Sequence, residues 1–139
     1  MAAARASVVG GFVGTSNLEA GLLYGIPTVG TSAHSFTLLH DSEEDAFAAQ
    51  VASLGPSTTI LVDTYDIATG VERAVKAARA AGGELGAVRL DSGDLVAEAF
   101  KVRAQLDALG ATSTKITVTN DLDEHAIAAL GAAPVDSYG

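Results

Sequence analysis

The sequence predicts an α/β protein built from parallel β/α units. Strand-like runs begin at Thr59, Gly86 and Lys115, roughly 20 to 30 residues apart, which is the size of a βαβ unit. A stretch with helical periodicity follows each run, so we expect a parallel sheet covered by helices. A doubly wound open sheet and a barrel both fit this pattern. Since a full barrel needs about 250 residues, we predict a single domain over residues 1–139 that forms part of an irregular TIM-like barrel.

The first part of the chain predicts two helices and a short strand. Residues 2–9 are rich in alanine and favour a helix. Asn17 is a typical N-cap for a second helix over residues 18–24, which Gly25 closes. The apolar run over residues 26–29 then predicts a strand that leads into the next segment.

A third helix is predicted after Ser42. Ser42 and Asp45 resemble a capping box with Asp in place of Glu. Phe47, Val51 and Leu54 follow at i, i+4 and i+7, so we expect all three on the buried face of this helix.

The repeating units follow in order. Strands are predicted over residues 59–62, 86–90 and 115–118, and a fourth is predicted to begin at Pro134. The helices between them should begin at three aspartate N-caps and bury three apolar stripes. The caps are Asp66, Asp94 and Asp123, and the stripes are Ile67, Val71, Ala74, Val75 and Ala78; Leu95, Ala99, Val102, Leu106 and Leu109; and Ile127 with Leu130.

Composition excludes several classes of protein. Hydrophobic residues make up 48% and charged residues 18% of the 139 residues, which favours one globular domain over a disordered chain. The net charge of −9 argues against a nucleic-acid-binding surface. No run approaches the roughly 20 apolar residues of a membrane span. The chain has no cysteine, which excludes disulfides and thiolate zinc sites and fits a cytoplasmic protein.

The stretch G-T-S-A-H-S-F over residues 30–36 is the first candidate for chemistry. His34 lies just after the predicted strand and could act as a nucleophile or move a proton. Thr31, Ser32 and Ser35 could donate hydrogen bonds to an anion without adding charge. A structural histidine with a hydrogen-bond partner is the alternative.

Polar residues at the predicted strand ends form a second candidate. Asp63, Asp91 and Asn120 each follow a strand, at the edge where parallel sheets and barrels bind ligands. They are not needed as helix caps, because a second acid three residues later takes that role. We therefore interpret them as substrate-binding or catalytic.

Arg89 precedes Asp91 by two positions, so both side chains leave the strand on the same face. Buried charges need a partner, and two interpretations remain open. The residues could form a salt bridge with each other. Alternatively, Arg89 could hold a substrate carboxylate while Asp91 accepts hydrogen bonds from a sugar or faces a developing cation.

Two further groups of polar residues have less specific patterns. Thr15, Ser16 and Asn17 stand at a helix start and could bind a phosphate or carboxylate, although a plain N-cap explains them equally well. His40 and His125 are expected to be solvated. Without a cluster of His or Cys, we predict no metal site made by the protein.

Six short motifs in the same order together resemble nicotinate phosphoribosyltransferase, and the resemblance extends over nearly the whole chain. The motifs are G-F-V-G-T-S-N, G-I-P-T-V-G-T-S-A-H-S-F, L-V-D-T-Y-D, V-R-L-D-S-G-D-L, V-T-N-D-L-D-E and a final D-S-Y-G. Each is weak alone, but six in order are specific.

The resemblance implies a type II phosphoribosyltransferase with an irregular α/β barrel. Such enzymes join nicotinate to phosphoribosyl pyrophosphate, which yields nicotinate mononucleotide and pyrophosphate in NAD salvage. The resemblance further implies coupling to ATP through a transient phosphohistidine, Mg²⁺ bound largely through pyrophosphate, a homodimer and a cytoplasmic location.

The resemblance also assigns roles to individual residues. His34 matches the phosphorylated histidine, Thr31 a threonine that contacts nicotinate, Arg89 the arginine that receives its carboxylate, and Asp91 an acid near the ribose. Gly139 matches the start of a glycine-rich phosphate loop.

Family members are several times longer, so we expect this chain to correspond to their central part, without the N-terminal domain and the rest of the barrel. Two alternatives to an active transferase remain. One is a catalytically silent piece that binds ligand weakly or pairs with other subunits. The other is a related transferase for nicotinamide or quinolinate.

Overall fold

The computed structural model describes residues 1–139, which divide into two compact units, Met1–Thr31 and Ser32–Gly139. The first unit contains two helices, α1 (Ala2–Val9) and α2 (Leu18–Tyr24), as the sequence predicts. No helix of the structure combines the length and the apolar character that a membrane crossing needs.

The strand predicted over residues 26–29 is wrong. This segment forms only an isolated parallel bridge between Thr15 and Thr28. The Thr15 N–H donates to the Pro27 carbonyl at 3.0 Å, and the Val29 N–H donates to the Thr15 carbonyl at 2.9 Å. Since Pro27 has no N–H to donate, the pairing does not extend into a ladder.

The second unit contains five helices and four strands. They are α3 (His34–Leu38), α4 (Glu43–Leu54), β1 (Thr59–Leu61), α5 (Ile67–Ala80), β2 (Ala87–Leu90), α6 (Leu95–Ala108), β3 (Lys115–Val118), α7 (Glu124–Leu130) and β4 (Ser137–Tyr138). The strands form one sheet in the order β1-β2-β3-β4, and every neighbouring pair is parallel. The predicted α/β class and its parallel β/α units are therefore confirmed, while closure into a barrel stays a prediction.

Four helices of the second unit begin at the predicted N-caps. The Ser42 side chain accepts the Asp45 N–H at 3.1 Å and donates to the Asp45 carboxylate at 2.6 Å. The carboxylates that cap α5, α6 and α7 each accept the N–H of the third following residue, at 2.8 to 3.1 Å. The three helix starts are capped by Asp66, Asp94 and Asp123. These three aspartates therefore have a structural role. The acids directly after the strands, Asp63 and Asp91, remain the candidates for the functional site.

One face of the sheet packs against the helices. The buried cluster combines alternate residues of the first three strands with the inward stripes of α4, α5 and α6. Its larger members are Phe47, Val51, Ile60, Val62, Val71, Val75, Leu85, Val88, Leu90, Val102, Leu106, Ile116, Val118 and Leu130. Because side chains alternate along a strand, the residues between these face the other side of the sheet.

Predictions at four element ends need correction. β1 ends at Leu61 rather than at residue 62, and β2 begins at Ala87 rather than at residue 86. Leu54 is 65% exposed rather than buried, because it is the last residue of α4, where the chain turns at Gly55. The fourth strand begins at Ser137, not at Pro134. Proline has no N–H to donate, and the Asp136 carboxylate accepts the Ile116 N–H at 2.8 Å, so a side chain stands where the ladder would start.

Gly70 gives a prediction about helix packing. A Cβ at this position in α5 would lie 2.3 Å from the Val62 carbonyl oxygen. Helix propensity alone would make alanine stabilising by about 1 kcal/mol. We expect Gly70→Ala instead to lower the free energy of unfolding by about 1–3 kcal/mol, because α5 must move away from β1. Urea titration measures the difference, and a more stable variant would contradict the close packing.

Candidate active site

The site lies at the carboxyl ends of the strands, on the face opposite α4, α5 and α6. Leu61, Arg89, Thr117 and Ser137 are aligned across the sheet. The residues two positions later in the four strands are Asp63, Asp91, Thr119 and Gly139. Alternation therefore brings two acids, a hydroxyl and a glycine to one edge of the sheet, as the sequence predicts for Asp63 and Asp91.

His34 faces these acids. The sequence predicts that His34 follows a strand, but the structure places it as the first residue of α3. Its Nδ1 lies 3.0 Å from the Thr64 hydroxyl. Its Nε2 lies 3.6 Å from an Asp91 carboxylate oxygen and 3.9 Å from an Asp63 oxygen. The side chain remains 40% exposed, so a substrate can reach the ring.

Asp63 is the most deeply buried member of the site, with a side chain only 1% exposed. One carboxylate oxygen accepts the Asp91 N–H and the Ser92 hydroxyl, both at 2.7 Å. The other, Oδ1, has no hydrogen-bond partner and is the oxygen that faces His34. A buried carboxylate oxygen without a donor favours a proton or a cation beside it. Asp63 therefore fixes the β2–α6 loop and directs its unpaired oxygen towards His34 Nε2.

Arg89 and Asp91 form the salt bridge that was one of the two predicted interpretations. The Arg89 Nη2 donates to an Asp91 oxygen at 2.9 Å, and its Nε donates to the Thr119 hydroxyl at 2.8 Å. Thr119 also donates a short hydrogen bond to Asp91. The guanidinium is thus held in a fixed orientation, half-buried, at the end of β2. A fixed orientation is what recognition of a planar carboxylate requires.

The environment lowers the pKa of Asp91. Burial of the carboxyl acts in the opposite direction, but the hydrogen bonds from Thr119 and Arg89 and the charges of Arg89 and His34 together outweigh it. Asp91 therefore contributes stability that is present above the unfolded pKa, near 3.8, and is lost as the pH falls through the lower folded value.

We expect Asp91→Asn to reduce the acid sensitivity of the fold. The variant should be less stable than wild type at neutral pH, and the two stabilities should converge as the pH falls below about 4, where the Asp91 contribution disappears. Denaturant titrations over a pH series measure this convergence. A constant difference between the two proteins at every pH would contradict the assignment.

The other predicted residues of the second unit occupy different places. Ser35 is exposed in the first turn of α3. Asn120 is exposed directly after Thr119, with a φ of 106°. The Gly139 N–H donates to the Val118 carbonyl at 3.0 Å, and a Cβ on Gly139 would lie 2.9 Å from the Thr119 methyl. His34, Asp63, Arg89 and Asp91 are thus brought together, whereas ligand contacts of Ser35, Asn120 and Gly139 stay predictions.

Four predicted residues belong to the first unit. Asn17 caps α2, since its side chain accepts the Ala20 N–H at 2.8 Å, so the plain N-cap interpretation is confirmed for this residue. The Thr15 hydroxyl accepts the Asn17 N–H at 3.1 Å. Substrate contacts of Thr15, Ser16, Asn17 and Thr31 stay predictions.

The structure adds residues that sequence reasoning missed. Thr64, Ser92 and Thr119 contact His34, Asp63 and Arg89 respectively, and Gln50 binds the segment before His34. Thr64 and Ser92 directly follow the predicted acids, and Thr119 precedes Asn120, so position relative to the strand ends could have revealed these three. Gln50 has no such signal.

The two remaining histidines lie apart from this chemistry. His125 is exposed, as predicted. His40 is not simply solvated, because its Nδ1 lies 2.8 Å from the Phe36 carbonyl and its ring contacts the Phe36 ring. His40 is therefore a structural residue of the α3 end.

Known proteins with similar sequences include several nicotinate phosphoribosyltransferases. This chain is 56% identical to the nicotinate phosphoribosyltransferase pncB1 of Mycobacterium tuberculosis, over 100% of the chain and 32% of the relative. It is 40% identical to the nicotinate phosphoribosyltransferase of Bacillus subtilis, over 98% of the chain and 29% of the relative. The chain thus spans about a third of the length of these curated relatives. No protein-family model matches it.

Two solved structures of enzymes with related names share the fold of this chain. The human nicotinic acid phosphoribosyltransferase superimposes with a TM-score of 0.81 at 26% identity, over 99% of this chain and 39% of that one. A nicotinate-nucleotide pyrophosphorylase from Pyrococcus furiosus gives a TM-score of 0.81 at 31% identity, over 97% and 36% of the two chains.

Proposed function

This chain is homologous over its whole length to one segment of the nicotinate phosphoribosyltransferases, and we propose that it supplies part of the active site of such an enzyme. The proposed reaction joins nicotinate to phosphoribosyl pyrophosphate, with nicotinate mononucleotide and pyrophosphate as products. NAD salvage would consume the mononucleotide.

One observation carries the proposal. A partly exposed histidine, two acids and an arginine meet at the carboxyl edge of a parallel sheet, and all of them belong to the motifs that resemble the family. Ligands bind at this edge in α/β folds. If the only role of Arg89 and Asp91 were their salt bridge, the His34 imidazole would not need to lie beside them.

The proposed transfer breaks the bond between ribose C1 and pyrophosphate as the pyridine nitrogen of nicotinate attacks C1. Positive charge develops on the ribose during this step. Asp91, which is ionised at neutral pH, lies 3.6 Å from the partly exposed His34 ring, where it could face a ligand, and we assign it the stabilisation of that charge.

We assign recognition of the nicotinate carboxylate to Arg89. Asp91 and Thr119 hold its guanidinium, which reduces the conformational freedom lost on binding. Substitution of Arg89 by alanine should raise the KM for nicotinate at least tenfold, and much more than that for nicotinamide, which has no carboxylate. Steady-state kinetics with both acceptors measure the ratio. An equal change in the two KM values would remove Arg89 from this role.

We assign the phosphoryl acceptor of a coupled ATP hydrolysis to His34. The carboxylates beside Nε2 favour a proton on that nitrogen, which leaves the lone pair on Nδ1. Nδ1 would attack the γ-phosphorus of ATP, the bond to ADP would break, and water would later release phosphate. Thr64, next to Nδ1, could then donate to a phosphoryl oxygen.

The other partners are also proposals. No group of His, Cys, Asp and Glu is arranged to hold a metal ion, so Mg²⁺ would arrive on the pyrophosphate oxygens of the substrates, which are ligands that it prefers. A homodimer and a cytoplasmic location stay predictions of the resemblance.

Mononucleotide synthesis tests the proposal, measured on the intact protein, by which we mean the full-length enzyme that would contain this segment. We expect formation of nicotinate mononucleotide from nicotinate and phosphoribosyl pyrophosphate with Mg²⁺, and a faster rate with ATP. The 139-residue chain assayed alone then separates an active transferase from a silent piece. Absence of product from the intact protein under all of these conditions would overturn the proposal.

A second candidate is a related transferase for nicotinamide or quinolinate, because the shared fold, with a TM-score of 0.81 to each of the two solved structures, does not select the pyridine acceptor. An enzyme for quinolinate would not need phosphohistidine. Competition between nicotinate, nicotinamide and quinolinate in the same assay distinguishes the two.

A further inference from the structure

Gln50 is an unusual residue in the buried face of α4. Its neighbours on this face, Ala46, Phe47 and Val51, are apolar and belong to the core, whereas the other buried polar residue of α4, Glu43, forms a salt bridge with Arg73. Gln50 is only 4% exposed. Burial of an amide is unfavourable unless its hydrogen bonds are made, so its presence here needs a physical reason.

Every polar atom of this amide is engaged. Its Oε1 accepts the Ser32 hydroxyl at 2.6 Å. Its Nε2 donates to the Thr59 carbonyl at 2.7 Å and to the Thr58 hydroxyl at 3.2 Å. The amide thus links the segment before α3 to the start of β1, through two donors and one acceptor used together.

Both segments lead to the histidine. Ser32 stands two residues before His34, and β1 runs from Thr59 towards Asp63 and Thr64, which face the ring. Helix α3 has only five residues and no side-chain N-cap hydrogen bond, so it has little stability of its own. The Gln50 amide therefore connects the segment that carries His34 to the strand that leads to Asp63 and Thr64.

We infer that Gln50 is a positioning residue for His34: its amide sets the place of the imidazole ring relative to Thr64 and the two carboxylates. The inference rests on the proposed role of His34 as phosphoryl acceptor. Displacements of about 1 Å in a reacting group can lower a rate by about 100-fold, which is the kind of error that the amide would prevent.

The test uses Gln50→Met, which keeps the side-chain length and removes the three hydrogen bonds, and Ser32→Ala, which removes the hydroxyl that donates to Gln50 from the segment before α3. Gln105→Met is the matched control. Gln105 Nε2 donates to the Ala68 carbonyl at 2.8 Å and so links α6 to α5 by one hydrogen bond, away from His34.

Two readouts separate positioning from plain stability. The first is the pair of ring ¹⁵N signals of His34, with exposed His125 as the internal reference. We expect both site variants to move the His34 signals towards those of His125, and Gln105→Met to leave them in place. The second is phosphorylation of His34 by ATP in the intact protein, where kcat should fall at least tenfold while the KM for ATP stays within about twofold. The double variant should lose no more than Gln50→Met alone, because both changes break one link.

Unchanged ring signals in Gln50→Met and Ser32→Ala, or equal changes in Gln105→Met, would overturn the inference. A kcat that falls equally in the control would do the same. If wild-type protein accepts no phosphate, the proposed role of His34 fails, and the ring signals alone decide whether Gln50 places the imidazole.

Discussion

Phe47→Ala is expected to lower the free energy of unfolding by about 3–5 kcal/mol. Phe47 is the largest fully buried side chain, 2% exposed, and packs from α4 into the cluster formed by the strands and helices of the second unit. Truncation to alanine removes its contacts and leaves a cavity that the surrounding helices fill only in part. Chemical denaturation followed by circular dichroism measures the loss.

Leu54→Ala is the control, because the helical period of α4 assigns Leu54 to the same face. Since Leu54 is 65% exposed, its truncation should change stability by less than about 0.5 kcal/mol. Comparable losses in the two variants would mean that Leu54 packs in the core, and would contradict the exposed end of α4.

Asp91→Asn is expected to lower kcat for mononucleotide formation by about 10²- to 10³-fold, with a much smaller change in KM. Asparagine retains an oxygen that can accept hydrogen bonds from Arg89 and Thr119, so the geometry of the site should survive. It carries no charge to stabilise the developing cation. Steady-state kinetics with the intact protein measure both constants.

Asp94→Asn makes the same change of charge three residues away and is the matched control. Asp94 caps α6 by accepting the Ala97 N–H, and asparagine is an equally good N-cap. We expect wild-type kinetics from this variant. A similar fall in kcat for both variants would show that the loss comes from the overall charge or the loop and not from the Asp91 carboxylate.

Local signals in the sequence predict most of the fold. The capping residues Ser42, Asp66, Asp94 and Asp123 mark helix starts because a cap needs only its own side chain and the next three residues. The order and spacing of apolar runs similarly predict parallel strands. The run over residues 26–29 fails because a strand also needs a partner along its whole length, which no local pattern contains.

The site is less predictable because its contacts join distant parts of the chain. Two positions in the same strand place Arg89 beside Asp91, so this pair could be predicted. The bonds of Thr119 to Arg89, of Ser92 to Asp63 and of Gln50 to Ser32 span 18 to 30 residues. Gln50 in particular looks like an ordinary helical residue until α4 is packed against β1.

The central claim is that His34 carries the phosphoryl group, and labelled ATP tests it most directly. The intact protein is incubated with γ-labelled ATP and Mg²⁺, and acid-labile label is counted in wild type, His34→Ala and His125→Ala, where His125 is an exposed histidine of α7. We predict label on wild type and His125→Ala and none on His34→Ala. Equal label on wild type and His34→Ala would contradict the account.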